Sequence, residues 1–312
     1  MGHMHTRNIW VLGGTGYIGS ALVNHLARDP ANRIHILIHR NVPYRFLERF
    51  NTITGSISTF DPYWFGRYPP DVLFHLARPA GSRGITRTWA ASRGEKANRR
   101  LVNIMKGLDK PPVVVYVSGS LLYGPRPDHD PAVESSPLAP ASFAAYYHQN
   151  EKPWLEAQQR NELDVRFARP GWITGPASWF EQFFWHPMMM NAKIPCYGNG
   201  HQLMSLIHLD DGAAMIQALS RSATRSQNLN IFVGKPITMR SFCEILSEIT
   251  GLEIEHIDEP TIEKRMGKTV AQALTASIPM ATLYPELQKE ARVRFSSNRE
   301  LLAHVIGLLK NK

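Results

Sequence analysis

Cysteine is almost missing from this chain. Cys196 and Cys243 are the only two in 312 residues, too few for a disulfide framework or a cysteine metal cluster. A reducing cytosol is the expected compartment. Long apolar runs are missing too: the longest, such as VVVYV at 113–117, are strand-sized and far short of the roughly 20 residues that span a bilayer. No charged-then-apolar leader opens the chain, so no secretory signal is expected. The opening MGHM reads as a cloning remnant, and His3 is set aside with it. Net charge is +9, yet no run of lysine or arginine focuses it. Scattered charge of this kind does not predict nucleic-acid binding, and it suits a polyanionic small molecule. The 13 histidines lack HxxH or HExxH spacing on a helix, so no metal site is expected. No G-x-S-x-G elbow supports a hydrolase.

What is present belongs to an ordinary globular protein, with 43% apolar and 20% charged residues. Strand-like runs alternate with helical stripes through the first 170 or so positions. NIWVLGG (8–14), RIHILIHR (33–40), DVLFHLA (71–77), VVVYVS (113–118) and DVRFARP (164–170) read as strands. Ile18, Leu22 and Leu26, and later Leu101, Ile104, Met105 and Leu108, fall at helical spacing between them. That alternation predicts right-handed βαβ crossovers and a parallel sheet covered on both faces.

After residue 175 the pattern changes. Positions 175–200 are dense in Trp, Phe and Met and fit no single period. HLDDGAAMIQAL (208–219) reads as a capped helix and NLNIFVG (228–234) as a last sheet strand. SFCEILSEITG (241–251) reads as a helix with a Ser241/Glu244 capping box and a Gly251 stop. LEIEHI alternates as a short strand. The expected division is a nucleotide-binding domain of 1–175 and 206–234, with a smaller lobe from 176–205 and 235–312.

VLGGTGYIGS places Gly14, Gly16 and Gly19 as G-x-G-x-x-G, and Gly13, Gly16 and Gly19 as G-x-x-G-x-x-G. Following a buried strand and opening a helix, such glycines let a pyrophosphate approach backbone N–H groups at the positive helix end. An NAD enzyme carries Asp or Glu at the end of the second strand to bond the ribose 2′-hydroxyl. This chain has His39 and Arg40 there, with Arg45 close behind. A guanidinium grips a 2′-phosphate that a carboxylate would repel, so NADP(H) is the expected cofactor.

With these residues the chain resembles the extended short-chain dehydrogenase/reductase family, in its epimerase/dehydratase-type branch. The resemblance implies an α/β, Rossmann-type doubly wound parallel sheet with a smaller discontinuous substrate lobe. GGTGYIGS, with Gly13, Thr15, Gly16, Tyr17, Ile18 and Gly19, is similar to the family's cofactor fingerprint. GSI (55–57) resembles its adenine segment, with Ser56 where Asp is usual and Ile57 beside it. FHLAR (74–78), ending in Leu76, Ala77 and Arg78, is similar to the fourth-strand segment. YVSGSLLYG resembles the loop carrying the active-site hydroxyl, and RPGWITGP (169–176), with Pro170 and Ile173, the nicotinamide side. PCYGNGHQLMSLIHLDD (195–211) is similar to the stretch entering the substrate lobe. A homodimer through helices near 95–109 and 145–163 is also implied.

The active site departs from the family pattern. Tyr and Lys four residues apart share one helix face; in the family the Lys holds the nicotinamide ribose and the Tyr moves a proton to or from the substrate oxygen. Here the available lysine is Lys152, preceded at four by His148, whereas Tyr147 is followed at four by Glu151 and Tyr146 by Asn150. Glu156 supports the register that makes His148 the replacement. The loop position usually holding the hydroxyl is Gly119, with Ser118 and Ser120 on either side. Pro153 predicts a kink or a new helix start, either of which can bring Tyr147 into place of His148. Three readings follow: His148 as donor, Tyr147 as donor, or a redox-silent fold that binds nucleotide as a regulator or non-redox catalyst.

Trp172, Trp179, Phe180, Phe183, Phe184, Trp185 and Met188–Met190 lie on the way into the substrate lobe. Walls of that kind suit a small apolar or aromatic carbonyl compound, and equally a lobe core or a dimer contact. Arg78, Arg83 and Arg87 follow the fourth strand and are candidates to meet an anionic group.

Overall fold

The computed structural model describes residues 6–39, 44–78, 84–126 and 130–312. Arg40, the predicted 2′-phosphate ligand, and Arg83 lie outside them, as do the side chains of Arg45 and Arg87. In chain order the strands are β1 (Arg7–Leu12), β2 (Asn32–Ile38), β3 (Asn51–Thr54), β4 (Val72–His75), β5 (Val113–Val117), β6 (Val165–Pro170), β7 (Trp172–Thr174), β8 (Lys193–Tyr197), β9 (Leu203–His208), β10 (Leu229–Ile231), β11 (Val233–Thr238) and β12 (Glu253–Ile257). Seven form one sheet in the order β10-β6-β5-β4-β1-β2-β3. Every pairing in it is parallel.

Parallel neighbours need crossover connections, and helices supply them. Tyr17–Leu26 joins β1 to β2, Gly84–Lys106 joins β4 to β5, and Ala145–Gln159 joins β5 to β6. The sheet is covered on both faces because β1 alternates. Ile9 and Val11 pack in one core with Leu22, Val23 and Leu26 of the first helix. Trp10 and Leu12 pack in the other with Leu101, Met105 and Trp154. This is a Rossmann-type, doubly wound α/β fold. Its strand order reverses between β1 and β4, and that is where such sheets open a crevice at their carboxyl ends.

The remaining strands form two small sheets. β9 lies between β7, which it pairs in parallel, and β11, which it pairs antiparallel; β8 pairs in parallel with β12. The stretch that fits no single period turns through a π-helical segment, Glu181–Trp185, before the short helix His186–Asn191. Bonds from i to i+5 shift the side-chain phase there, which is why a 3.6 period fails. Phe180, Phe184, Trp185 and Met188 are buried core, whereas Met189 and Met190 are exposed.

One helix boundary differs from the sequence reading. The helix expected to start at Ser241 starts at Met239, and its cap is Thr238, whose Oγ1 accepts from the Ser241 N–H. Thr238 in extended backbone satisfies a free N–H of the first turn, so Ser241 is left inside the helix. Gly251 ends the helix with φ +74°, in the left-handed region that favours glycine.

Candidate active site at the carboxyl ends of the strands

The turn after β1 leaves no room for side chains at two positions. A Cβ on Gly13, which has φ +89°, would lie 2.8 Å from the Ala77 nitrogen, and one on Gly19 would lie 2.1 Å from the Gly13 carbonyl oxygen. The loops after β1 and β4 are thus in backbone contact. Gly16 caps the Tyr17–Leu26 helix in extended geometry with no side-chain cap, so first-turn N–H groups are left for an outside acceptor. Around this cradle lie Thr15, exposed, and Leu76 and Ala77, half-buried. Beyond β3, the Ser56 hydroxyl pairs with that of Thr59 at 3.0 Å, and Ile57 is buried. The cradle fits a dinucleotide pyrophosphate.

Beside it opens a cavity of about 410 Å³. Tyr17, Ile18, Pro170, Gly171, Trp172, Ile173 and Trp179 line it. The two indoles meet with ring centroids 4.4 Å apart. Ser118, Gly119, Ser120, Arg78, Tyr147 and Ala273 line the cavity as well. Burial pushes the Tyr17 phenol up to about 12, so Tyr17 stays neutral.

The helix Ala145–Gln159 runs unbroken with Pro153 inside it. Its phase is set by burial of Asn150, Trp154 and Ala157. Residues at i, i+3, i+4 and i+7 share a face, so Tyr147 and Glu151 face inward with Asn150 and Trp154. Lys152 is turned out to solvent and does not line the cavity. His148 does not line it either; it is half-buried, and burial, with Arg169 and Lys152 adding to it, lowers its pKa. Lys152 and Glu156 predict a phase that turns His148 inward. The structure sets it from Trp154, and Glu156 lies on the outer side, bound to Arg99 at 2.8 Å.

Glu151 therefore occupies the interior position four residues after Tyr147. Its side chain is 1% exposed. Ser118 Oγ donates to its Oε2 at 2.5 Å, and the Arg169 guanidinium of β6 lies 3.6 Å from its Oε1. Burial pushes this carboxyl above the usual range, against the pull of Arg169 and the Ser118 bond.

Asn98 anchors the helix. Buried completely, it accepts at Oδ1 from Trp154 Nε1 at 3.1 Å and lies 2.6 Å from His75 Nε2, while its Nδ2 donates to the Asn150 carbonyl at 2.8 Å. Burial pushes His75 down to about 4, so its ring is neutral and donates from Nε2. Nothing in the motifs singled out Asn98; its signal was an amide on an otherwise apolar inner stripe. Glu151 was visible only as the fourth residue after Tyr147. Arg78 stacks on Tyr147, its guanidinium carbon 4.4 Å from the ring centroid.

Comparison with known proteins shows the family and the fold. The sequence model of the NAD dependent epimerase/dehydratase family matches residues 9–233. A dTDP-glucose 4,6-dehydratase of Streptomyces antibioticus is 24% identical over 276 residues, covering 80% of this chain and 79% of that protein. Among solved structures, a dTDP-glucose 4,6-dehydratase of Bacillus anthracis in complex with NAD is similar at TM-score 0.73 and 17% identity, covering 98% of this chain and 97% of that one. A human epimerase family protein with NADPH is similar at TM-score 0.74 and 18% identity, covering 98% of this chain and 100% of that one. At such identities the structural likeness establishes the fold.

Proposed function

The chain belongs to the NAD dependent epimerase/dehydratase family, and we propose that it is a nicotinamide-dependent oxidoreductase in which Tyr147, not His148, is the proton-transferring group. One observation carries this: Tyr147 lines the same cavity as Ser118, Ser120 and the Pro170–Ile173 segment. Gly13, Thr15, Gly16, Tyr17, Ile18 and Gly19 would hold the pyrophosphate, Ser56 and Ile57 the adenine end, and Leu76, Ala77, Arg78, Pro170 and Ile173 the nicotinamide half. When bound, the cofactor supplies hydride transfer. Ser118 and Ser120 bond the substrate oxygen, Tyr147 moves its proton, and the two indoles exclude water. Lys152 has no role in this reading.

Arg40 motivates NADP(H) as the cofactor. The Trp172 and Trp179 walls, with Leu121 and Leu122, favour a small apolar or aromatic carbonyl substrate over a sugar nucleotide, because such walls offer dispersion contacts and few hydrogen bonds. We further propose a cytoplasmic homodimer packed through the Gly84–Lys106 and Ala145–Gln159 helices, and the two-lobed division at 176–205 and 235–312.

A second reading, a nucleotide-binding protein without redox chemistry, is favoured by the carboxyl of Glu151 at the interior position where the family places an ammonium. The two are separated by incubating the protein with NADPH and a panel of aryl ketones, aldehydes and sugar nucleotides. Oxidation of NADPH with an aryl carbonyl, lost in Tyr147→Phe and kept in His148→Phe, is expected. Tight NADPH binding with no turnover on any carbonyl selects the second reading. Loss in His148→Phe alone overturns the assignment of Tyr147.

A further inference from the structure

The interior carboxyl that replaces a lysine has a partner the family pattern does not use. Glu151 and Ser118 come from different elements, the Ala145–Gln159 helix and the loop after β5, and meet at 2.5 Å. Glu151 is closed to solvent, while Ser118 is half-buried and lines the cavity. A hydroxyl has one hydrogen to give. While Glu151 is ionised it accepts only, so the Ser118 hydrogen is committed to Oε2. Ser118 then presents lone pairs to the cavity.

We propose that Glu151 sets the hydrogen-bond polarity of Ser118 and thereby which form of a substrate the cavity prefers: an alcohol when Glu151 is ionised, a carbonyl when it is protonated. Once protonated, the Glu151 O–H donates to Ser118 Oγ, and the Ser118 hydrogen turns to the cavity, where it meets a carbonyl oxygen. The only covalent change is uptake of one solvent proton at Oε2, which neutralises the negative charge of Glu151 and alters no other group. Glu151 is a positioning residue here, acting through Ser118.

The groups facing Glu151 come from each element around it. Arg169 of β6 lies 3.6 Å away and favours the ionised form. Arg78 after β4 acts in the same sense, and so does the Ser118 hydrogen bond. Tyr116 of β5 is a buried phenol, pushed up by burial and by Glu151 itself, and stays neutral. Against these stands the burial of the carboxyl, which is the largest influence. The balance places the switch above an ordinary glutamate, whose pKa is about 4.3.

The proposal rests on the reading of this cavity as the substrate site, and two measurements keep them apart. In the cofactor-free protein, infrared difference spectra on acidification should show a protonated-carboxyl band with a midpoint above that of ordinary glutamates. The band should be absent in Glu151→Gln, and its midpoint should move higher in Ser118→Ala, which removes a bond to the charged form. Then 1-phenylethanol and acetophenone are titrated into the full-length protein across that midpoint, without nicotinamide so that neither reacts. The alcohol-to-ketone affinity ratio should change about tenfold, one hydrogen bond's worth, and stay flat in Glu151→Gln and Ser118→Ala. A band unmoved by Ser118→Ala, or an affinity ratio independent of pH, overturns the proposal. If the band behaves as expected and neither compound binds, the coupling of Glu151 to Ser118 stands and the aryl-carbonyl reading fails.

Discussion

The Arg78 guanidinium lies over the face of the Tyr147 ring, 4.4 Å from its centroid. It joins the loop after β4 to the helix Ala145–Gln159 and fixes the direction of the phenol. An exposed cation–π contact contributes about 0.5–1 kcal/mol. Arg78→Leu should therefore lower turnover severalfold while the unfolding midpoint changes little. Steady-state kinetics beside a thermal melt checks this; unchanged turnover would mean the stack is incidental.

The glycine cradle gives a sharper expectation. In Gly19→Ala the new Cβ would sit 2.1 Å from the Gly13 carbonyl oxygen, so the turn must open. Overpacking of that kind costs about 1–3 kcal/mol, and NADPH affinity should fall by more than tenfold. Calorimetry of NADPH binding reads it directly.

Cofactor choice is tested at Arg40. NADPH should bind more tightly than NADH to the unaltered protein, and Arg40→Asp should reverse the order, since a carboxylate repels a 2′-phosphate and bonds a 2′-hydroxyl. Equal affinities for the two cofactors would remove the basis for the NADP(H) assignment.

Asn98→Leu should be among the most damaging single substitutions. It strands Trp154 Nε1, His75 Nε2 and the second bond to the Asn150 carbonyl in a dry core, where each unmet group costs about 1–3 kcal/mol. Chemical denaturation should show a loss of several kcal/mol. A loss below about 1 kcal/mol would show that the helix is held by its apolar contacts alone.

Acid sensitivity has a defined sign. His35 stacks between Trp10 and Tyr68 at centroid distances of 5.0 and 4.7 Å, and burial pushes both His35 and His75 from 6.5 down to about 4. Between those values the unfolded chain binds protons that the folded chain refuses. Stability is thus full above pH 6.5 and falls as pH drops towards 4, with a slope approaching about 1.4 kcal/mol per unit for each ring. His35→Phe keeps the stack and removes one of the two protons. Urea unfolding from neutral to mildly acid pH should show a shallower slope in the variant; parallel slopes would contradict the burial of a neutral ring.

The sheet was legible because its signals are local. VVVYV and RIHILI are continuous apolar runs, as strands buried on both faces must be, and the glycines of 13–19 sit in the context that gives them meaning. The stretch 175–200 was not legible, because the π-helical turn at Glu181–Trp185 breaks any fixed period. The phase of the Ala145–Gln159 helix is open in the sequence between His148 and Tyr147. Matching Lys152 to a family position turned His148 inward, whereas burying Trp154 turns in Tyr147 and Glu151. A large aromatic is a stronger phase marker than a motif lysine, since hiding an indole is favourable and hiding an unpaired ammonium is not.

Strand β10 has a consequence for how the chain assembles. It docks on β6 through Leu229↔Ala168, Asn230↔Arg169 and Ile231↔Pro170, although the chain between them has first to build β7, β8 and β9. During synthesis β6 emerges as an unprotected sheet edge, carrying Arg169, the counter-ion of Glu151, with its backbone groups open to any passing strand. Contacts this distant in sequence close late and slowly. Refolding should pause at a six-stranded intermediate that is aggregation-prone at high concentration, so the refolding yield should fall as protein concentration rises.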